Sequence, residues 1–275
     1  MKERKVLTVL IVTLFLFHSA QALSSGRNEA TEERLNLKFF LKAVQDFKNT
    51  LISPLTWEAR DFLTLSTIVG TGLLLYTVDQ EVQDLVQERR TQFSNSFSGF
   101  FNTFGDKYFL LAFLTALYSA GEHLGERSLR KTALLSFEGI ITSGIIVTGL
   151  KIFLGRARPR TGKRADTFHL FSKKPQFYSM PSGHASSAFA LATTIAEQSS
   201  STFIDVLAYT CASFVALSRV HENAHWVSDV FIGSAIGYFV AKKICALNRQ
   251  EREKKVAIIF NWHYGGYSLT LSYFF

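Results

Sequence analysis

The sequence predicts an all-α protein, a six-helix membrane-embedded bundle followed by a short C-terminal β-hairpin. Three observations carry that expectation. Long apolar runs with almost no charge recur between residues 62 and 241. Trp, Tyr and Phe gather near several of their ends, as they do at a membrane–water interface. The last stretch then changes to an aromatic, β-prone pattern.

In chain order, residues 1–23 have the form of a signal peptide. Met1 to Lys5 is basic, Val6 to Phe17 is apolar, and Ala20-Gln21-Ala22 offers a small-x-small cleavage site. An uncleaved N-terminal anchor is the rival reading, and either one exports the segment after it. Residues 24–60 are mixed in charge, with an amphipathic stretch from Leu35 to Ile52 suited to a membrane surface. The helical domain is expected over 61–247. Its six apolar segments are Phe62–Val78, Tyr108–Gly121, Thr132–Leu154, His184–Ala196, Val206–Ser218 and Trp226–Ala241. The first and third reach bilayer-spanning length, and the flanks of the others can extend them. A mean hydropathy of only +0.13 is the contrary sign, and it keeps a soluble bundle in view. Asp79 to Asp106 is expected to be a polar surface connector. In the tail, 248–275, Val256–Trp262 and Tyr267–Phe275 flank Gly265-Gly266, the pattern of a hairpin.

Composition narrows the partners. The chain has 275 residues and a net charge of +8. Its basic groups are separated by long apolar runs, which argues against nucleic acid and for an anionic membrane surface or substrate. Cys211 and Cys245 lie in apolar segments and read as buried thiols without a disulfide. No metal-ligand motif and no internal repeat is present. Glu138, within the third apolar segment, is either a functional group or a hydrogen-bond partner of a neighbouring helix.

Three short stretches carry the chemistry. Tyr178-Ser179-Met180-Pro181-Ser182-Gly183-His184 reads as a tight turn opening a helix, whose N-terminal N–H groups suit an anion. Upstream, Lys151 and Arg158 stand seven residues apart, two turns on one helical face, with Pro159 expected to end that helix. Downstream, His225 and Asp229 are four apart, so on a helix the carboxylate reaches an imidazole nitrogen. Arg219 adds a third cation. This is an inventory for gripping a phosphate and attacking its phosphorus.

Together these stretches resemble the signature of the type 2 phosphatidic acid phosphatase superfamily. That signature is Lys, six residues, Arg-Pro; then Pro-Ser-Gly-His; then Ser-Arg, five residues, His, three residues, Asp. All three parts occur here in order and without a mismatch. The superfamily also includes vanadium haloperoxidases and soluble acid phosphatases, so the resemblance fixes the pocket better than the substrate. Residue chemistry gives each group a role, and the resemblance supports each at the matching position. Lys151, Arg158 and Arg219 neutralise phosphoryl oxygens, with Ser182 and the N–H of Gly183 completing the cradle. His225 is the nucleophile that forms a phosphohistidine, and Asp229 orients its ring. His184 is the acid for the leaving oxygen and then the base for water. No cofactor or metal is needed, since fixed cations replace it. The resemblance is silent on His123, His169 and His221, for which structural or solvent-exposed roles are expected.

The expected function is a membrane phosphatase acting on a lipid phosphate monoester or pyrophosphate. Phosphatidic acid, phosphatidylglycerol phosphate, undecaprenyl pyrophosphate and lipid A phosphates all stay open. A soluble exported acid phosphatase or a haloperoxidase would use the same pocket, and a non-catalytic lipid-phosphate binder is the third class. Six alternating spans would put eleven Lys and Arg on the side of the motifs and fifteen on the other. The positive-inside tendency then places the site on the outer face of a bacterial inner membrane, toward the periplasm. A cleaved signal argues the opposite, because it leaves residue 24 outside.

Overall fold

The computed structural model describes residues 34–250 and the backbone of 251–254, 256–263 and 266–273. The signal or anchor expected at 1–23 lies outside the described residues.

Local chemistry sets the helix boundaries. Helix α1 (Leu37–Ile52) starts where the Asn36 side chain accepts the Phe39 N–H. Helix α2 (Ala59–Thr77) opens on a reciprocal Glu58–Asp61 capping box. At Val78 the chain bends by 55° into α3 (Asp79–Glu88). Thr91 and Ser94 form the capping box of α4 (Gln92–Phe104), and Asp106 caps α5 (Lys107–Leu124). Helix α5 stops at Gly125, whose φ of 71° is the left-handed conformation glycine adopts readily. The long α6 (Arg127–Leu154) stops in the same way at Gly155. Helices α7 (Gly183–Gln198), α8 (Thr202–His221) and α9 (Val227–Lys254) complete the bundle. Beyond them the backbone of β1 (Val256–His263) pairs antiparallel with β2 (Gly266–Tyr273).

The architecture is all-helical apart from that strand pair, but the expected count of six helices is corrected. Nine α-helices occur among the described residues. The six apolar segments fall in α2, α5, α6, α7, α8 and α9, and three more helices come from stretches read as surface segment or connector. The connector folds because its apolar residues keep helical spacing: Val82, Leu85 and Val86 on α3, and Phe93, Phe97, Phe101 and Phe104 on α4. Nor do six helices qualify as spans. Among the described residues only α6, α8 and α9 are each long and apolar enough to cross a membrane, and the bent α2–α3 pair adds a fourth if counted as one. Helices α5 and α7 fall short by the same measure.

Small residues set the spacing at the centre. Helix α7 buries Ala185, Ala188, Ala190 and Ala192. Helix α9 lies directly on its first turns, and a Cβ at Gly233 or Gly237 would meet the carbonyl oxygens of Ser182 and Ser186 at 2.3 and 2.0 Å. Only glycine permits that approach. Below it, Leu135, Val240, Ile244 and Cys245 form an apolar cluster between α6 and α9. Cys245 is buried and Cys211 partly so, both as free thiols. The outer surface carries exposed Ile141, Ile145, Phe153, Leu217 and Phe239, the surface a helix presents to lipid. The end of α6, the start of α7, the end of α8 and the start of α9 are joined by residues 155–182 and 222–226. Those two connections hold the site.

Candidate active site

The first connection begins at Gly155, with φ of 59°. A Cβ there would lie 1.7 Å from the His169 carbonyl oxygen, so no other residue allows the chain to turn back at this point. Helix α6 therefore ends at Leu154, before Pro159, and Lys151 and Arg158 do not share one helical face. Lys151 remains in the last turn of α6, while Arg158 stands in the loop. They converge all the same. Lys151 Nζ donates to the carbonyls of Tyr178 and Ser179 at 2.8 and 3.2 Å. Arg158 donates through Nη1 to the Ala224 carbonyl at 3.2 Å and through Nε to Pro175 at 3.3 Å. Each cation is thus held by backbone oxygens of a different part of the site.

The Pro-Ser-Gly-His turn opens α7 as expected. Ser182 is its N-cap; the hydroxyl oxygen accepts the Ala185 N–H at 3.5 Å, and its own N–H donates to the Asp229 carbonyl at 2.9 Å. The N–H groups of Gly183 and His184, first in the helix, have no intrahelical partner by construction. The Lys151 side chain passes 4.0 Å from where a Gly183 Cβ would be. His184 packs against the end of α4, where a Cβ on Gly105 would come within 2.9 Å of its ring.

The second connection supplies the remaining groups. Arg219 ends α8 and donates through Nη1 to the Asn102 side-chain oxygen, while its Nε has no hydrogen-bond partner among the described residues. His225 is 2% exposed and stands just before α9, not on it. Its Nδ1 lies 3.8 Å from Asp229 Oδ2, in the first turn of α9. The two groups face each other at a distance too long for a hydrogen bond, and Nδ1 has no other partner among the described residues.

Charge and burial fix the resting protonation. The ring of His225 titrates well below the usual imidazole range because it is buried and faces the positive field of Lys151, Arg158 and Arg219. His184 is lowered to about 4 by burial and then by Arg219. Arg158 is lowered to about 10 by burial and by its neighbours Arg160 and Arg219. Both imidazoles are therefore neutral near pH 7 without an anion in the pocket, and a bound phosphate would oppose the same cations.

The groups the sequence did not disclose lie behind Asp229. Arg156, a cation of the same loop as Arg158, is fully buried. Its Nη1 donates to Asp229 Oδ1 and to Ser228 Oγ, at 2.7 and 2.8 Å, and its Nη2 donates to Asp79 Oδ2 at 2.7 Å. Asp79, expected on a surface connector, is also fully buried, and it accepts the Ser228 N–H and hydroxyl as well. Asp229 Oδ2 accepts from Ser179 Oγ at 2.5 Å and from the Trp226 N–H at 3.0 Å. The single available hint was an acid standing directly after the uncharged run Phe62–Val78. Among the other histidines, Nε2 of His221 lies 3.0 Å from Ser94 Oγ, and His169 packs on the Phe177 ring.

The bundle of apolar helices defines the fold class, and the comparisons agree with it. Residues 132–253 match the PAP2 superfamily. A lipid A 1-phosphatase of Porphyromonas gingivalis is 29% identical over 242 residues, covering 86% of this chain but 48% of that protein. The chain therefore spans about half the length of that relative. A lipid A 1-phosphatase of Rhizobium etli is 28% identical over 203 residues, covering 67% of this chain and 82% of the relative. The crystal structure of Aquifex aeolicus LpxE is similar in fold, with a TM-score of 0.51 and 21% identity over 62% of this chain and 95% of that one. The transmembrane PAP2-type phosphatidylglycerolphosphate phosphatase of Bacillus subtilis gives 0.53 and 19%, over 67% and 95%.

Proposed function

We propose that the protein is a membrane phosphatase that hydrolyses a lipid phosphate, with the 1-phosphate of lipid A as the leading substrate. The observation that carries this is the convergence of Lys151, Arg158 and Arg219 on two neutral histidines at the N-terminus of α7. The names of the relatives favour lipid A over the other lipid phosphates.

In this reading the three cations and the Gly183 N–H hold the phosphoryl oxygens and offset the charge that develops on them. Nδ1 of His225 faces Asp229, so Nε2 is the attacking nitrogen. It forms a bond to phosphorus as the bond to the lipid oxygen breaks, and His184 gives that oxygen a proton. Water then attacks the phosphohistidine, His184 takes its proton, and inorganic phosphate leaves. The dianion in the pocket counters the cationic field that keeps His184 neutral at rest, so substrate binding itself favours the protonated acid. The cations supply the electrostatic role a metal would otherwise fill, and no group of three or more His, Cys, Asp or Glu positioned for a metal occurs among the described residues.

The test is phosphate release by purified protein in detergent from lipid A, phosphatidic acid, phosphatidylglycerol phosphate and undecaprenyl pyrophosphate. Fastest turnover of lipid A is expected; no release from any of the four would sink the reading. We also place the site on the periplasmic face of an inner membrane. The excess of Lys and Arg at the opposite end of the bundle supports that side. A Lys163→Cys protein should react with an impermeant maleimide in intact spheroplasts, and labelling only after lysis would reverse the assignment.

A further inference from the structure

The anchoring of Asp229 asks for an explanation that phosphate binding does not give. The side-chain hydrogen bonds of Arg156 go to Ala165, Ser228, Asp229 and Asp79 rather than to the cradle residues, and it is a fully buried cation held by two carboxylates from distant parts of the chain. Its Nε donates to the Ala165 carbonyl at 2.9 Å. The rings of Tyr76, Trp226 and Phe168 surround the guanidinium, their centroids 4.9, 5.5 and 5.6 Å away. A planar fork satisfied on both amino groups and stacked on aromatic faces has little freedom to move.

That rigidity is delivered to one atom. Arg156 occupies Oδ1 of Asp229, and Ser179 and the Trp226 N–H approach Oδ2. The carboxylate therefore cannot rotate, and Oδ2 stays on the side of the His225 ring. Asp79 stands at the 55° break between α2 and α3, so the arginine also ties that break to the start of α9.

We infer that Arg156 is a positioning residue: anchored by Asp79, it holds one oxygen of Asp229 so that the other faces Nδ1 of His225. This rests on the proposed role of His225 as nucleophile. Without the guanidinium, Asp229 turns toward other donors, and His225 loses the carboxylate that faces its Nδ1 and favours a proton there. The substrate cradle is untouched by that change, so binding persists while the chemical step slows.

The test compares the wild type with Arg156→Lys and Asp79→Asn, full-length and in detergent. Lysine keeps the charge but not the fork, and asparagine keeps the shape but not the charge. For Arg156→Lys, kcat should fall about 100-fold with KM within about twofold, the scale expected for a misplacement on the order of 1 Å. Asp79→Asn should give a smaller loss of the same kind. The double variant should be no slower than Arg156→Lys alone, because both act through one contact. ¹⁵N-histidine NMR of the resting proteins adds a readout that needs no turnover. The His225 ring signals should move from an Nδ1–H tautomer toward a mixture in Arg156→Lys, while His123 is unchanged. If both folded variants keep wild-type kcat and wild-type His225 signals, the inference is overturned. A loss confined to thermal stability would overturn it equally. If the wild type itself released no phosphate, the functional reading would fail, while the NMR comparison would still decide the role of Arg156.

Discussion

The two sides of His225 are built on opposite principles. On the side of Asp229 every charge is answered: Arg156, Asp79, Ser179 and Ser228 exchange hydrogen bonds of 2.5–2.8 Å within a fully buried cluster. On the side of α7 the charges are alike and only partly answered. Lys151, Arg158 and Arg219 repel one another, and Arg219 Nε lacks a hydrogen-bond partner among the described residues. Backbone dipoles and more distant carboxylates oppose them. Burial of like charges is costly unless a counter-charge arrives. The first side is complete as it stands, and the second becomes complete with an anion in it. In the proposed mechanism one side holds geometry and the other holds ligand. Changes on the two should differ in their effect on stability.

The sharpest separation is at the residue between them. His225→Ala removes the nitrogen proposed to attack and is expected to lower turnover by at least about 10⁴-fold, the scale seen when a nucleophile is deleted. Its Nδ1 makes no hydrogen bond among the described residues, so the thermal midpoint should hardly move. Wild-type turnover from a folded His225→Ala protein would refute the mechanism.

The sides themselves come next. Arg219→Ala should cost roughly 10²–10³-fold in kcat/KM, as loss of one electrostatic donor does. The same change should leave stability unchanged or raised, because it removes a buried like charge. Asp79→Ala should do the reverse in stability. It removes one of the two carboxylates that hold the fully buried Arg156 guanidinium and leaves Nη2 without that acceptor, a loss of about 1–3 kcal/mol. Thermal unfolding in detergent, followed with and without vanadate, decides it. Vanadate should raise the midpoint of the wild type and of Asp79→Ala, and raise that of Arg219→Ala far less. Equal effects of the two substitutions on stability would erase the distinction.

The same contrast predicts insensitivity to chelators. In the proposed cradle three side-chain cations balance phosphate, so activity should survive EDTA and be inhibited by vanadate. Loss of activity in EDTA with recovery in Mg²⁺ would show that the cradle is electrostatically incomplete.

How much was legible in the sequence divides along the same line. The residues proposed for the anion side could be named from the sequence, because Lys151, Arg158, Ser182, Gly183, His184, Arg219, His225 and Asp229 sit in three short stretches at fixed spacing. Their secondary structure was harder to read. The Lys151–Arg158 interval looked like two helical turns, and the left-handed Gly155 ends the helix early because the returning chain at His169 needs the space. The anchoring side was hidden. Arg156 looks like one more loop cation, and Asp79 is separated from Ser228 by 149 residues. Burial of that pair is a tertiary fact that no local pattern encodes. The helix count failed for a related reason: α3 and α4 are amphipathic rather than wholly apolar, and they fold against the end of α8 through contacts such as Gln83 with Asn223 and Ser98 with Glu222.

The smallest expected effect concerns pH, and it tests whether the cradle's field reaches the histidine. His225 must be neutral to attack, and in the free enzyme its pKa lies well below the usual imidazole value, with Lys151, Arg158 and Arg219 among the causes after burial. The acid limb of kcat/KM should therefore fall below about pH 6.5, the ordinary histidine midpoint. The groups facing the ring besides these cations are His184, itself lowered to about 4, and Asp229. Removing one cation favours the protonated ring, so Arg158→Gln should move the acid limb upward in pH. One lost charge at a partly solvated distance shifts it by roughly one unit or less. Asp229→Asn should move it downward, since it removes a negative charge, and should leave weak residual turnover. An acid limb that stays fixed in Arg158→Gln while kcat/KM falls would mean that Arg158 binds phosphate without tuning the nucleophile.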